Sequence, residues 1–268
     1  MSKKKSKAEV LIIIPTLNNL DLLKGVLSTI RLSQPYYLLL IDNGSTDGSR
    51  DFIKEYAKNF GVFAFLSKVN LGVAGSWNFG IEFGIESLGC KSFIILNNDI
   101  LLLPKTLDVM LEGLKDPMVG MCTAFNFSGR VASADDFLKL KIPAKGVKKE
   151  TPDFSCFAIS KNCIDKVGLF DEAFYPAYFE DNDYHYRMRL EHLKAICDSR
   201  AIYYHLGSRS RNLTPAFRQF LDECYLRNKE YFKQKWGGEP GDEKFTEPFN
   251  GKGPETIEIP EIAFSDKE

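Results

Sequence analysis

The chain has 268 residues, 44% of them hydrophobic and 26% charged, and a formal net charge of −1. That length and balance describe a globular protein with one large core, or one domain with appendages. They give no global argument for binding nucleic acid or an anionic membrane, and no apolar run is long enough to cross a bilayer.

The basic start from Met1 to Lys7 leads straight into a strand and makes a poor signal peptide. Val10 to Pro15 is a β-branched run, and Asn18 or Asn19 can cap the helix that follows, with Leu22, Leu23, Val26, Leu27 and Ile30 at helical spacing. Tyr37 to Ile41 reads as a buried strand, Asp42 to Gly48 as a loop of turn formers, and Ser49 to Phe60 as a helix. Val62 to Leu66 is strand-like, a helix runs from about Trp77 to Leu88, and Phe93 to Leu96 is an apolar strand delivering Asn97-Asn98-Asp99 at its end. Alternating strands and helices predict an α/β fold with a parallel sheet covered on both faces. Ligands then bind beyond the carboxyl ends of the strands, where the loops after Ile14, Ile41 and Leu96 meet.

The second half is less regular. Met118 to Phe127 reads as a strand, and the polar stretch from Ser128 to Lys149, with Lys139, Lys141, Lys145, Lys148 and Lys149, as a hairpin or a mobile acceptor loop. Phe154 to Ile159 reads as a strand and Lys161 to Val167 as a short helix. Asp181 to Leu193 is predicted helical, with Glu180, Asp181 and Asp183 around its positive end. Ala195 to Tyr204 is a strand ending at His205, and Thr214 to Trp236 a long amphipathic helix with Phe217, Phe220, Leu221, Tyr225 and Tyr231 among its apolar positions. Residues 1–236 are expected to form one domain of two halves, 1–125 and 126–236. Residues 237–268, interrupted by Pro240, Pro248, Pro254 and Pro260, read as an extended or disordered tail. Six cysteines, Cys90, Cys122, Cys156, Cys163, Cys197 and Cys224, form no CxxC pair and read as reduced buried thiols of a cytoplasmic protein.

Five segments occur in a telling order: Pro15-Thr16-Leu17-Asn18, Ile41 to Gly48, Asn70-Leu71-Gly72, Leu96 to Asp99, and Phe179 to Asp183. Each is weak alone. Together they resemble the family 2 glycosyltransferases of the GT-A fold over roughly residues 10–236. The resemblance implies a mostly parallel central sheet flanked by helices, with a small antiparallel acceptor-side portion and a C-terminal helix. It also implies inverting transfer from a UDP-, dTDP- or GDP-linked sugar, usually with Mn²⁺ or Mg²⁺, onto a hydroxyl acceptor such as a bacterial surface glycan.

Under that resemblance Asp42 accepts a hydrogen bond from a pyrimidine N–H; on its own terms it can equally cap its loop. Pro15, Thr16 and Asn18 would contact base and ribose. Asn70 and the stretch from Gly72 through Gly75 to Asn78 would form a second polar rim, where glycines let a backbone approach a ligand or simply shape the loop; Asn78 reads equally as a helix cap. Asn97 stands where the family often has the first carboxylate of Asp-x-Asp, which leaves Asp99 as the carboxylate, Asn97 and Asn98 as amides toward the donor, and His205 as the ligand completing the metal shell. Asp181 resembles the family's general base, with Glu180 lining the acceptor site and Asp183 on the helix surface or supporting the loop. Arg209 and Arg211 form either a clamp over the pyrophosphate or a basic surface loop. The lysines from Lys139 to Lys149 leave open a polyanionic acceptor, including DNA with hydroxylated bases. A nucleotidyltransferase is disfavoured because Pro15 to Asn19 holds no Lys or Arg, and the Asn97 substitution is the feature favouring a weakened nucleotide-sugar-binding module. A single-sugar transferase, cytoplasmic or peripheral at the inner membrane face, is the resulting expectation.

Overall fold

The computed structural model describes residues 7–129, 133–142, 148–149, 152–207 and 214–253. Its first half is a parallel sheet of β1 (Val10–Thr16), β2 (Tyr37–Asp42), β3 (Phe63–Leu66) and β4 (Ser92–Leu96), in the order β3-β2-β1-β4. In register, Ile12 lies between Leu38 and Ile94. Successive side chains of a strand point to opposite faces. Thus Val10, Ile12, Ile14, Leu38, Leu40 and Ile94 enter one core, while Leu11, Ile13, Leu39, Ile41 and Phe93 enter another. Both faces being covered is why these strands read as unbroken apolar runs. The helices α1 (Leu20–Thr29) and α2 (Ser49–Phe60) contribute Leu23, Val26 and Ile53 to the first core, and α3 (Gly72–Phe83) contributes Ala74, Trp77 and Ile81 to the second.

The second half extends the same sheet with antiparallel pairings. It comprises β5 (Ile100–Leu102), α4 (Thr106–Gly113), β6 (Val119–Asn126), α5 (Ala134–Leu138), β7 (Lys148–Lys149), β8 (Cys156–Ser160), α6 (Lys161–Val167), α7 (Glu180–Leu190), β9 (Lys194–His205) and α8 (Pro215–Trp236). The strand β8 runs antiparallel to β4 and β6; β9 runs parallel to β6 and antiparallel to β5. The described strands form one nine-stranded sheet, β3-β2-β1-β4-β8-β6-β9-β5, with β7 beside β9.

Several local expectations are revised. Asn19 takes the N-cap position of α1, its carbonyl accepting from Leu22 and Leu23, but its side chain makes no cap; Asn18 and Asn19 both have positive φ, and the Leu20 N–H is taken by Asp47 Oδ2 at 3.1 Å from the loop after β2. The stretch 128–149, expected as a hairpin or mobile loop, contains α5, capped by Ser133 and anchored by buried Phe137 against Leu101, Leu103 and Ile202. Residues 237–253 fold back: Lys244 and Phe245 donate backbone N–H groups to the Trp236 carbonyl, Tyr186 donates its hydroxyl to the Phe245 carbonyl, and Phe249 packs on Tyr231. Prolines exclude a long α-helix there but neither packing nor the single 3-10 turn Pro248–Gly251. Residues 254–268 lie outside the described residues. All six cysteines are free and buried.

Candidate active site

The loops after β1, β2 and β4 are knitted together at the carboxyl edge of the parallel sheet. Asn43 donates its N–H to the Thr16 carbonyl at 2.8 Å, Asn18 donates its N–H to Ser45 Oγ at 2.8 Å, and Asn98 donates its amide to the Asn18 carbonyl at 3.1 Å. They bound a cavity of about 260 Å³ lined by Pro15, Thr16, Asn43, Asn70, Asn97, Asn98, Asp99 and His205. The Thr16 hydroxyl faces no partner although buried, so a ligand polar group is its natural complement.

Asp99 and His205 are 106 residues apart and meet because Ile100 of β5 pairs with His205 of β9. His205 Nε2 is 3.1 Å from Asp99 Oδ1, and Leu206 donates its N–H to the Asp99 carbonyl at 2.9 Å. The hydrogen bond to Asp99 holds the imidazole above its ordinary range, against the opposing effect of burial. Among the described residues no third His, Cys, Asp or Glu joins the pair. One carboxylate and one imidazole, beside the amide of Asn97, still suit Mn²⁺ or Mg²⁺ when phosphate oxygens and waters complete the shell.

The acidic pair comes from the start of α7. Tyr178 and Phe179, immediately before it, both have positive φ, 79° and 72°. Such backbone costs about 1–3 kcal/mol per residue and persists where surroundings over-determine it. Asn228 of α8, fully buried, supplies that constraint by donating its amide to the carbonyls of Ala177 at 2.8 Å and Tyr178 at 3.2 Å, while Arg227 bonds the Tyr175 carbonyl. Gly72 is the other requirement: at φ +72°, a Cβ there would lie 2.9 Å from the Tyr175 ring and 3.0 Å from the Pro176 carbonyl.

Glu180 and Asp181 line a second cavity of about 630 Å³ with Asp153, Tyr225 and Lys229. Glu180 is 6% exposed, and its Oε2 has no hydrogen-bond partner. Burial, and then the charge of Asp181, push its carboxyl well above the ordinary range. Burial also raises Asp181, the N–H of Asn182 at 2.8 Å pulls it back, and Asp153 adds a smaller upward push. The two cavities share Val73, Trp77, Asn97, Ala177 and Tyr178 as walls, so they form one cleft with Asp99 and His205 toward one end and Glu180 and Asp181 toward the other.

Other expected site residues stand elsewhere. Asp42 is fully buried: Arg50 donates to its Oδ2 at 2.7 Å and Ser45 N–H to its Oδ1 at 3.1 Å, and its neighbour Asn43 lines the cavity instead. Asn78 spends its amide bracing the Phe170 backbone and Glu172, because it lies inside α3 rather than at its start. Gly75 faces Glu172 and Leu71, and Asn18 clamps Thr46, whose N–H reaches its Oδ1 at 2.7 Å. Asp183 is buried and not on the helix surface; it accepts from Lys235 at 2.6 Å, Arg187 at 2.8 Å and Trp236 at 2.9 Å. Arg209 and Arg211 lie outside the described residues. Sequence reading gave no role to Trp77, Asn228 or Lys229, since an aromatic, an amide and a lysine within helical patterns carry no signal of their own.

The model of glycosyl transferase family 2 matches residues 11–172. The chain belongs to that family, whose members are transferase enzymes. It is 29% identical over 137 residues to the glycosyltransferase TagX of Staphylococcus aureus (strain MRSA252), a match covering 48% of this chain and 38% of that relative. The matched stretch is thus well short of the relative's whole length. Solved structures share its GT-A fold. The mannosyltransferase PcManGT of Pyrobaculum calidifontis, in complex with GDP-Man and Mn²⁺, aligns with TM-score 0.55 at 18% identity over 84% of this chain and 72% of its own. GalNAc-T7 with UDP, GalNAc and Mn²⁺ aligns at 0.61 and 13% identity over 87% and 51%, and S. aureus TarS at 0.54 and 16% over 82% and 43%. No helix among the described residues is long and apolar enough to cross a membrane.

Proposed function

We propose that this family 2 member is an inverting transferase moving one sugar from a nucleoside-diphosphate sugar to a hydroxyl acceptor. The observation that carries the reading is the single cleft with buried Glu180 and half-buried Asp181 toward one end and the Asp99–His205 pair toward the other. The donor occupies the cavity between Pro15, Thr16, Asn43, Asn70, Asn97 and Asn98, where the unpartnered Thr16 hydroxyl and the side-chain amides meet its base and ribose. Asp99 and His205 hold a divalent cation, Mn²⁺ or Mg²⁺, which when bound offsets the charge of the leaving diphosphate. Complexes of PcManGT with GDP-Man and Mn²⁺ and of GalNAc-T7 with UDP and Mn²⁺ support this donor class and metal.

Asp181 takes the acceptor's hydroxyl proton as that oxygen attacks the anomeric carbon from the face opposite the leaving diphosphate. Burial raises its proton affinity above that of an ordinary aspartate, which favours a base. Glu180, buried with an unpartnered oxygen, receives a hydrogen bond from the acceptor. The acceptor end carries Asp153, Glu180, Asp181 and Glu239 against one described lysine, Lys229, which pairs with Glu239 at 3.2 Å. That balance favours an uncharged hydroxyl over a polyanion such as DNA, and a bacterial surface glycan is the acceptor class in keeping with it.

The test is a thermal-shift panel of UDP-, GDP- and dTDP-sugars with and without Mn²⁺, followed by assay of nucleoside diphosphate release. One donor should raise the midpoint in a metal-dependent way and be turned over. No shift with any donor, or release of pyrophosphate from a triphosphate, would refute the reading.

A further inference from the structure

Tyr225 of α8 stands where the acceptor end of the cleft opens to the outside. It lines the cavity of Glu180 and Asp181, and also an adjoining groove of about 300 Å³ formed with Tyr178, Asp222 and Leu226. The helix turns Leu221, Cys224, Asn228 and Phe232 inward, whereas Tyr225 is 44% and Leu226 66% exposed. Single exposed apolar residues need no explanation, but two adjacent ones rimmed by a carboxylate beside a reaction cavity do.

The Tyr225 ring is held in place. Tyr178 meets it edge-on, with centroids 5.5 Å apart and planes at 76°, and Phe179 lies 5.2 Å away. The backbone of Tyr178 is in turn pinned by Asn228. A rigid aromatic side chain binds at low conformational cost. The C–H groups on one face of a pyranose are the partner an aromatic face accepts.

We propose that this groove is a second acceptor subsite. The acceptor is a glycan of at least two sugar units: the reacting unit sits at Glu180 and Asp181, and the next unit stacks on Tyr225. This rests on the assignment of that end of the cleft to the acceptor.

The experiment presents immobilised neutral glycans of one to six units to the full chain, with Mn²⁺ and each of UDP, GDP and dTDP. Retention should begin at two units. Tyr225→Ala should lower retention of the longer glycans on the order of tenfold, and Tyr225→Phe should restore it. Leu226→Asp, at an exposed position that folding tolerates, should lower it as well. Monosaccharides held as well as their longer homologues, retention indifferent to both Tyr225→Ala and Leu226→Asp, or no glycan held at all would overturn the subsite. A nucleotide-sugar thermal shift on the same samples separates the two failures. If it is absent, the transferase reading falls and the subsite with it; if it is present without length dependence, only the subsite falls.

Discussion

The two ends of the cleft are held by different means. The end assigned to the donor is built from three loops that follow parallel strands, tied mainly by backbone and hydroxyl hydrogen bonds between neighbours in the sheet, with one buried ion pair, Asp42 and Arg50 at 2.7 Å, behind them. The acceptor end is built from two helices and a loop, pinned by charges taken out of water: Lys235, 7% exposed at its side chain, reaches both Asp171 at 2.7 Å and Asp183 at 2.6 Å, and Arg187 meets Asp183 from the other side. The donor end therefore depends on the register of the sheet. The acceptor end depends on a few buried ion pairs, where loss of one partner strands another.

The largest effect should come at the proposed base. Asp181→Asn should lower transfer by about 10²–10⁴-fold while the nucleotide-sugar thermal shift persists; retained turnover would remove Asp181 from the chemistry. Next is the support beneath it. Lys235→Met leaves Asp171 and Asp183 short of a cation and should cost about 3–5 kcal/mol in urea denaturation at pH 7. Lys235 helps hold Asp171 below its ordinary range against burial, so this stabilisation is present above the unfolded value and is lost as pH falls through the depressed folded one. The gap between wild type and variant should accordingly narrow in acid; a gap that widened would show that another group dominates.

A seam joins the two ends at Gly72, whose left-handed backbone lets the loop through Tyr175 and Pro176 approach α3. Gly72→Ala should cost about 1–3 kcal/mol and weaken turnover more than donor binding, measured by unfolding and by thermal shift. The smallest expected effect concerns Glu180. Its folded proton affinity lies above the unfolded one, so its contribution to stability is fully present below the unfolded value, near 4.5, and declines as pH rises through the folded value. Glu180→Gln does not titrate. Relative to wild type it should gain stability as pH rises above about 4.5; parallel pH profiles for the two proteins would contradict the buried, unpaired state of this side chain.

Local pattern carried the elements whose physics is local. Ser49 to Phe60 and Lys161 to Val167 fall on α2 and α6 because apolar spacing and turn formers bracket them, and the start of α8 falls on Thr214, which accepts the Phe217 N–H at 3.0 Å. The strand β5 escaped because its three residues pair only with the distant β9, and α5 because one buried phenylalanine anchors it. The partners of Asp42 and Asn78 were not legible for a related reason: a polar residue in a motif does not announce which neighbour will take up its hydrogen bonds.

The sequence by itself determined a parallel α/β half, the edge of the sheet where polar loops gather, and the candidates Asp99, Asp181 and His205, since strand runs, turn chemistry and motif order are properties of neighbouring residues. Only the tertiary structure decided that Asp99 faces His205, that Glu180 is buried with an oxygen unpaired, and that Asn228, Lys235 and Tyr225 shape the surroundings of Glu180 and Asp181. Those outcomes follow from packing between segments tens of residues apart, and burial and hydrogen-bond satisfaction are set by what the fold brings against a side chain, not by what precedes or follows it in the chain.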